Sequence, residues 1–212
     1  MLRQVLTVAD LKTKNLIGNK QNAIVIGDGF GSLTSLLIQS GVARKVVLVN
    51  LTKTLFVDIS MLMRIPFFRE KKSITLVKTS QEMEKAYADD AVKVIALEAS
   101  NSSIIHHSKA DIAFNIASMQ EMDMRSIDEY FFQFRKIAAN KDFLFYCCNR
   151  KEKQLPDGSW ILFDNYPWGS TDIHYFDELC PWHQYYYKVL PPSYCQYDGP
   201  IQHRLTLIGA TT

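Results

Sequence analysis

The stretch AIVIGDGFGSL, residues 23–33, decides the fold. A short β-branched run over 23–26 stops at three glycines spaced G-x-G-x-G, and an apolar helical pattern follows. Gly27, Gly29 and Gly31 lack Cβ atoms, so the turn tolerates positive φ and a ligand can lie against the backbone. The first turn of the next helix carries N–H groups without intrahelical partners, a place for a polar or anionic ligand. A βα unit of this kind binds nucleotides and related cofactors. The bland use of the same glycines is a tight turn that packs strand against helix.

Working outward, strand-like and helix-like segments alternate. Strands are expected over 23–26, 45–49, 74–77, 92–97, 111–116 and 143–148. Between them lie helical patterns: 32–40, closed by Gly41; 52–64, ending before Pro66; 81–88, capped by Ser80 in a capping box; and 126–138. Such alternation predicts a parallel sheet with helices on both faces. After Arg150 the character changes. LPDGSW reads as a turn between two strands at Asp157 and Gly158, and 204–208 is a last strand that can add to the sheet edge in antiparallel sense.

With 212 residues the chain suits one domain: a helical lead-in over 1–22, then a Rossmann-like domain over 23–212 whose tail, 151–212, is rich in aromatics. A net charge of +2 is too small to draw the chain to nucleic acid or a membrane surface. No apolar run reaches the ~20 residues that span a bilayer, and the first residues lack the apolar core of a signal peptide. The four cysteines include the adjacent pair Cys147 and Cys148, which a strand points to opposite faces. Reduced thiols and a cytoplasmic location are the expectation.

Ser32 stands where the dinucleotide fingerprint G-x-G-x-x-G has its third glycine. The G-x-G-x-G loop instead resembles that of class I S-adenosylmethionine-dependent methyltransferases. NIASMQEMD (115–123), FYCCNRKEKQLPDGSW (145–160), NYPW (165–168), DELCPWHQYYY (177–187) and YDGPIQHRL (197–205) follow in one order. As a set they resemble the sugar O-methyltransferase family over about residues 23–208. That resemblance implies an α/β, Rossmann-like, doubly wound and mostly parallel sheet of seven strands with an antiparallel C-terminal strand. It implies S-adenosylmethionine as cofactor and a sugar or glycan hydroxyl, nucleotide sugars included, as acceptor. Gly27, Asp28, Gly29, Phe30 and Gly31 would then run under the methionine part. Asn50 would meet the ribose, Glu98 or Ala99 would flank the adenine, and the loop 115–121, from Asn115, would face the sulfonium and the acceptor. Two positions depart from the family pattern: Val25 and Asn50 stand where acidic residues are usual. Asn50→Asp is therefore expected to tighten cofactor binding. Two rival classes are a non-catalytic partner subunit with a degenerate cofactor site and a nicotinamide-dependent oxidoreductase, the latter disfavoured by Ser32 and Asn50.

Methyl transfer to a hydroxyl needs the oxygen held in line and a base for its proton. Glu121 and His183 are the candidates, with His183 as base and Glu121 orienting the acceptor. The alternative for Glu121 and Asp123 is capping of the following helix. Gln120, Arg150, Trp168 and Trp182 are candidate acceptor contacts, the aromatics by stacking on sugar faces and Arg150, with Lys151 and Lys153, by meeting a diphosphate. Cys180, His183, Cys195 and His203 do not match a paired zinc-knuckle spacing, and no metal is expected.

Overall fold

The computed structural model describes residues 2–69, 73–197 and 199–210. The strands are β1 (Gln21–Ile26), β2 (Ala43–Asn50), β3 (Ile74–Val77), β4 (Val94–Glu98), β5 (Ile112–Ile116), β6 (Leu144–Arg150), β7 (Glu152–Gln154), β8 (Trp160–Leu162), β9 (Ile173–Leu179), β10 (Tyr185–Lys188), β11 (Ser193–Gln196) and β12 (Ile201–Leu207). The helices are α1 (Leu2–Thr13), α2 (Ser32–Gln39), α3 (Thr52–Leu62), α4 (Pro66–Arg69), α5 (Ser80–Ala88) and α6 (Met124–Ala138).

Eight strands form the main sheet in the order β3-β4-β2-β1-β5-β6-β12-β9. β3, β4, β2, β1, β5 and β6 run parallel, while β12 pairs antiparallel with both β6 and β9. The sheet therefore has eight strands rather than the expected seven. The added strand is β9, which pairs with β12 at the far edge, while β3, expected over 74–77, takes the opposite edge beside β4. The order reverses at β1, where the chain crosses from one half of the sheet to the other, and the carboxyl ends of the strands open a crevice there.

The central strands are buried on both faces, which is why they read as continuous apolar runs. One face, with Val25, Leu48, Phe114, Tyr146 and Cys148, packs under α1, α2 and α3. The other, with Ile24, Val49, Leu97, Phe145 and Cys147, packs under α5 and α6. Cys147 and Cys148 do point to opposite faces, and all four cysteines are free thiols. Val25 is spent on the core and not on a ligand.

The start of α5 moved. α5 is capped by Thr79, not Ser80: Thr79 and Glu82 form a reciprocal capping box, since Glu82 is the residue at the third helical position counted from Thr79. The tail also contains the β10–β11 hairpin, whose Tyr185, Tyr186 and Tyr187 are exposed. β7 and β8 pair across the turn at Gly158. No helix among the described residues is long and apolar enough to cross a membrane.

Candidate functional site

A cavity of about 720 Å³ lies over the carboxyl ends of β1, β2, β4 and β5. Its floor is Ile26, Gly27 and Gly29; Asn50 and Thr54 form one side, Ala99 and Ser102 another, and Ala117, Ser118 and Glu121 to Asp123 with the start of α6 close it. This is where an open α/β sheet offers a crevice.

The three loop glycines share positive φ (69, 61 and 66°) but have different reasons to be glycine. A Cβ on Gly27 would meet Ser118 Oγ at 2.2 Å, and one on Gly31 would meet Leu62 Cγ at 2.7 Å. Both are fixed by packing. A Cβ on Gly29 would meet no protein atom within 4 Å, and Gly29 lines the cavity. Only at Gly29 does the missing side chain leave room for something that is not the chain itself. Ala117, across the cavity, also holds a left-handed backbone (φ 63°), a costly state of a kind that collects at ligand sites.

Two carboxylates hold the loop, Asp28 partly buried and Asp58 fully buried. Asp28 accepts from Leu33 N at 2.8 Å and Thr34 N at 2.7 Å, so it caps α2. The expected open helix terminus is thus occupied by the chain's own anion, and α2 is not free to receive one. Burial pushes the Asp28 carboxyl above its ordinary pKa, with the two backbone N–H groups working the other way. Asp58 of α3 is fully buried and accepts from Phe30 N and from Gly31 N at 3.1 Å. Its other oxygen accepts from Asn50 Nδ2 at 2.8 Å, and Asn50 Oδ1 accepts from Leu51 N at 2.9 Å. Sequence reasoning missed Asp58. The signal was present: an acidic residue on the apolar stripe of Leu55 and Leu62, a position a helix buries.

The remaining candidates divide. Gly27, Gly29, Asn50, Ala99 and Glu121 line the cavity. Asp28 lies behind the loop as a cap, and Phe30 and Gly31 face a separate cavity of about 480 Å³ beside α1 and α2. Glu98 turns to Thr52 Oγ1. Asn115 is fully buried, with Nδ2 on Ile26 O and Oδ1 accepting from Met119 N and Asn149 Nδ2, so it ties β1, β5 and β6 together without reaching the cavity. Gln120 accepts from Arg150 N at 2.8 Å and is buried. Arg150 is half-buried at the end of β6, outside the lining.

Asp123 caps α6 by accepting from Ser126 N at 2.7 Å, whereas Glu121 does not cap. Glu121 is exposed to the cavity, 4.0 Å from Lys153 Nζ. His183 is elsewhere. It is buried against Tyr197 with Nε2 at 2.9 Å from Arg3 Nη1 and Nδ1 at 3.7 Å from Cys148 Sγ. Burial and the Arg3 charge push its pKa down to about 4. Because the segment after β9 folds back under α1, His183 cannot serve a group in the cavity, and its assignment as base is withdrawn. Trp168 is packed among Phe131, Phe145 and Arg204 with Nε1 on Phe163 O, and Trp182 stacks edge-on to His203; neither faces the cavity.

No family model matches the chain, and no curated protein does. Solved structures do. The crystal structure of the E81Q mutant of MtNAS in complex with S-adenosylmethionine aligns with a TM-score of 0.52 at 11% identity, covering 98% of this chain and 62% of that one. MtNAS in complex with MTA and tNA aligns with a TM-score of 0.50 at 11% identity, covering 97% of this chain and 60% of that one. The chain thus spans less than two thirds of the length of these proteins. What it shares with them is the fold, a mostly parallel Rossmann-like α/β sheet.

Proposed function

We propose that this chain is an S-adenosylmethionine-dependent methyltransferase that acts on a hydroxyl of a sugar or glycan. The observation that carries the cofactor reading is Gly29: a left-handed glycine with open space at its missing Cβ, set in a cavity over the carboxyl ends of β1, β2 and β4. The residues fit the group. Gly29 would offer bare backbone to the methionine part, with Gly27 beside it in the lining; Asn50 and Thr54 would meet the ribose, and Ala99 and Ser102 the adenine. The bound cofactor supplies an electrophilic methyl group.

The chain's own task is to hold the acceptor oxygen in line and take its proton. With His183 absent from the cavity, that role passes to Glu121, which lines it beside the lysine of β7. Arg125 and Glu129 add polar groups at the rim, suited to a polyhydroxylated acceptor, and the family-like segments of the sequence favour a sugar. Labelled methyl transfer to a panel of nucleotide sugars and glycans tests this reading. Glu121→Gln is expected to lower turnover ~10²-fold or more while cofactor affinity stays within about twofold. Transfer to RNA or protein but to no sugar would overturn the acceptor class, and parental turnover in Glu121→Gln would remove Glu121 as base.

A second reading, a partner subunit that has lost turnover, draws on Asn50. Both ends of its amide are already engaged by Asp58 and Leu51, which leaves the ribose a weaker partner than a free carboxylate. Cofactor calorimetry separates the two.

A further inference from the structure

Under α1, on the sheet face away from α6, three side chains converge that the proposed reaction does not use. Cys148 comes from β6, Cys180 follows β9, and His183 lies in the turn beyond it. One donor atom from each lies within 4.8 Å of the other two, and the residues are 1%, 0% and 3% exposed. We propose that Cys148, Cys180 and His183 form a binding site for a divalent metal ion of the zinc class.

Zinc takes sulfur at about 2.3 Å and imidazole nitrogen at about 2.0–2.1 Å, so tetrahedral neighbours sit about 3.5–3.8 Å apart. The contact of 3.7 Å between His183 Nδ1 and Cys148 Sγ has that spacing. Two thiols and an imidazole select zinc or cobalt over magnesium or calcium. A disulfide is the rival use of the two sulfurs; both are free thiols here. β12 runs between β6 and β9, with His203 opposite Cys148 and Ile201 O accepting from Cys180 N.

Arg3 sets the metal-free state. Its guanidinium can only donate, so His183 Nε2 accepts at 2.9 Å and the ring proton sits on Nδ1, facing sulfur. An ion on Nδ1 displaces that proton to Nε2, and the partly exposed Arg3 must turn away. Arg3 thus competes with the metal. The bound ion would pin the segment after β9 to β6, and three protein donors leave it a fourth position.

Spacing in sequence hid the site. Cys180-x-x-His183 is a weak pattern alone, and its third member lies far upstream on β6. Cys195 and His203, the neighbours in sequence, take no part: Cys195 Sγ contacts Ser193 Oγ, and His203 faces Tyr146 and Glu178.

The test is a cobalt titration of the reduced, chelator-treated full chain, read by thiolate-to-cobalt charge-transfer absorption. One equivalent is expected to bind and to be displaced by zinc. Cys148→Ser and Cys180→Ser are expected to abolish the band, Cys147→Ser and Cys195→Ser to keep it, and Arg3→Ala to tighten binding about tenfold. A folded parent chain that takes up no cobalt overturns the proposal, whatever the fate of the serine variants. So does a band that survives in folded Cys148→Ser and Cys180→Ser.

Discussion

Gly29 and Asn50 are the residues on which the site turns. Gly29→Val is expected to lower cofactor affinity at least tenfold, because the side chain fills space no protein atom uses. Circular dichroism must show a folded variant; unchanged affinity in that variant removes the loop from the binding site. For Asn50 the structure reverses the expectation from sequence. Asn50→Asp would set a second carboxylate at hydrogen-bond distance from buried Asp58, where the amide now donates at 2.8 Å. Like charges there cannot both ionise freely. The variant is expected to lose about 2–3 kcal/mol of stability near neutral pH, less below the carboxylate range, and to bind cofactor no better. Thermal melts at pH 4 and pH 7 check it; equal Tm values relative to the parent at both would show that the two groups do not interact. The glycines were legible in the sequence because their backbone demand is local. Asp58 was not, since its partners Phe30, Gly31 and Asn50 lie in other elements and only folding brings them together.

At the scale of elements, α6 is tied to the tail by one buried ion pair. Arg135 donates to both oxygens of Asp172, at 2.9 and 3.1 Å, and to the carbonyls of Pro167 and Gly209. The Asp172 side chain is 0% exposed. Burial alone would raise its pKa, but the Arg135 hydrogen bonds and the backbone N–H groups of Gly169 and Gly209 hold it below the usual 3.8. A depressed folded pKa contributes stability above the unfolded value that is lost as pH falls below it. The parent is therefore expected to lose stability from about pH 4 downward, and Asp172→Asn to show a flatter acid limb. At neutral pH that variant is expected to cost about 3–5 kcal/mol, because it leaves Arg135 without a counter-charge. Denaturant melts across pH measure both; an acid limb identical in the variant would assign the acid loss to other groups. The alternation of strands and helices was readable from period and length up to β6. In the tail, the turn at Asp157 and Gly158 and the last antiparallel strand were readable too, but β9 and β10 were not: β9 is exposed along most of its length, and the tyrosines of β10 face solvent, so neither carries the buried alternation that marks a strand.

Over the whole molecule, two cores on either side of one sheet leave a crevice where the strand order reverses, and the G-x-G-x-G loop sits at that reversal. The sequence pointed to this architecture because glycine spacing and strand composition are local signals. It placed His183, Trp168 and Trp182 wrongly because their positions depend on how the tail returns across the sheet, with β12 antiparallel to β6 and the segment after β9 carried under α1. The central claim is that the crevice holds S-adenosylmethionine. Isothermal titration calorimetry of the full chain with S-adenosylmethionine and with S-adenosylhomocysteine tests it most directly. One-to-one binding of both, weakened at least tenfold in Gly29→Val, is the predicted result; a folded parent chain that binds neither ligand would contradict the account.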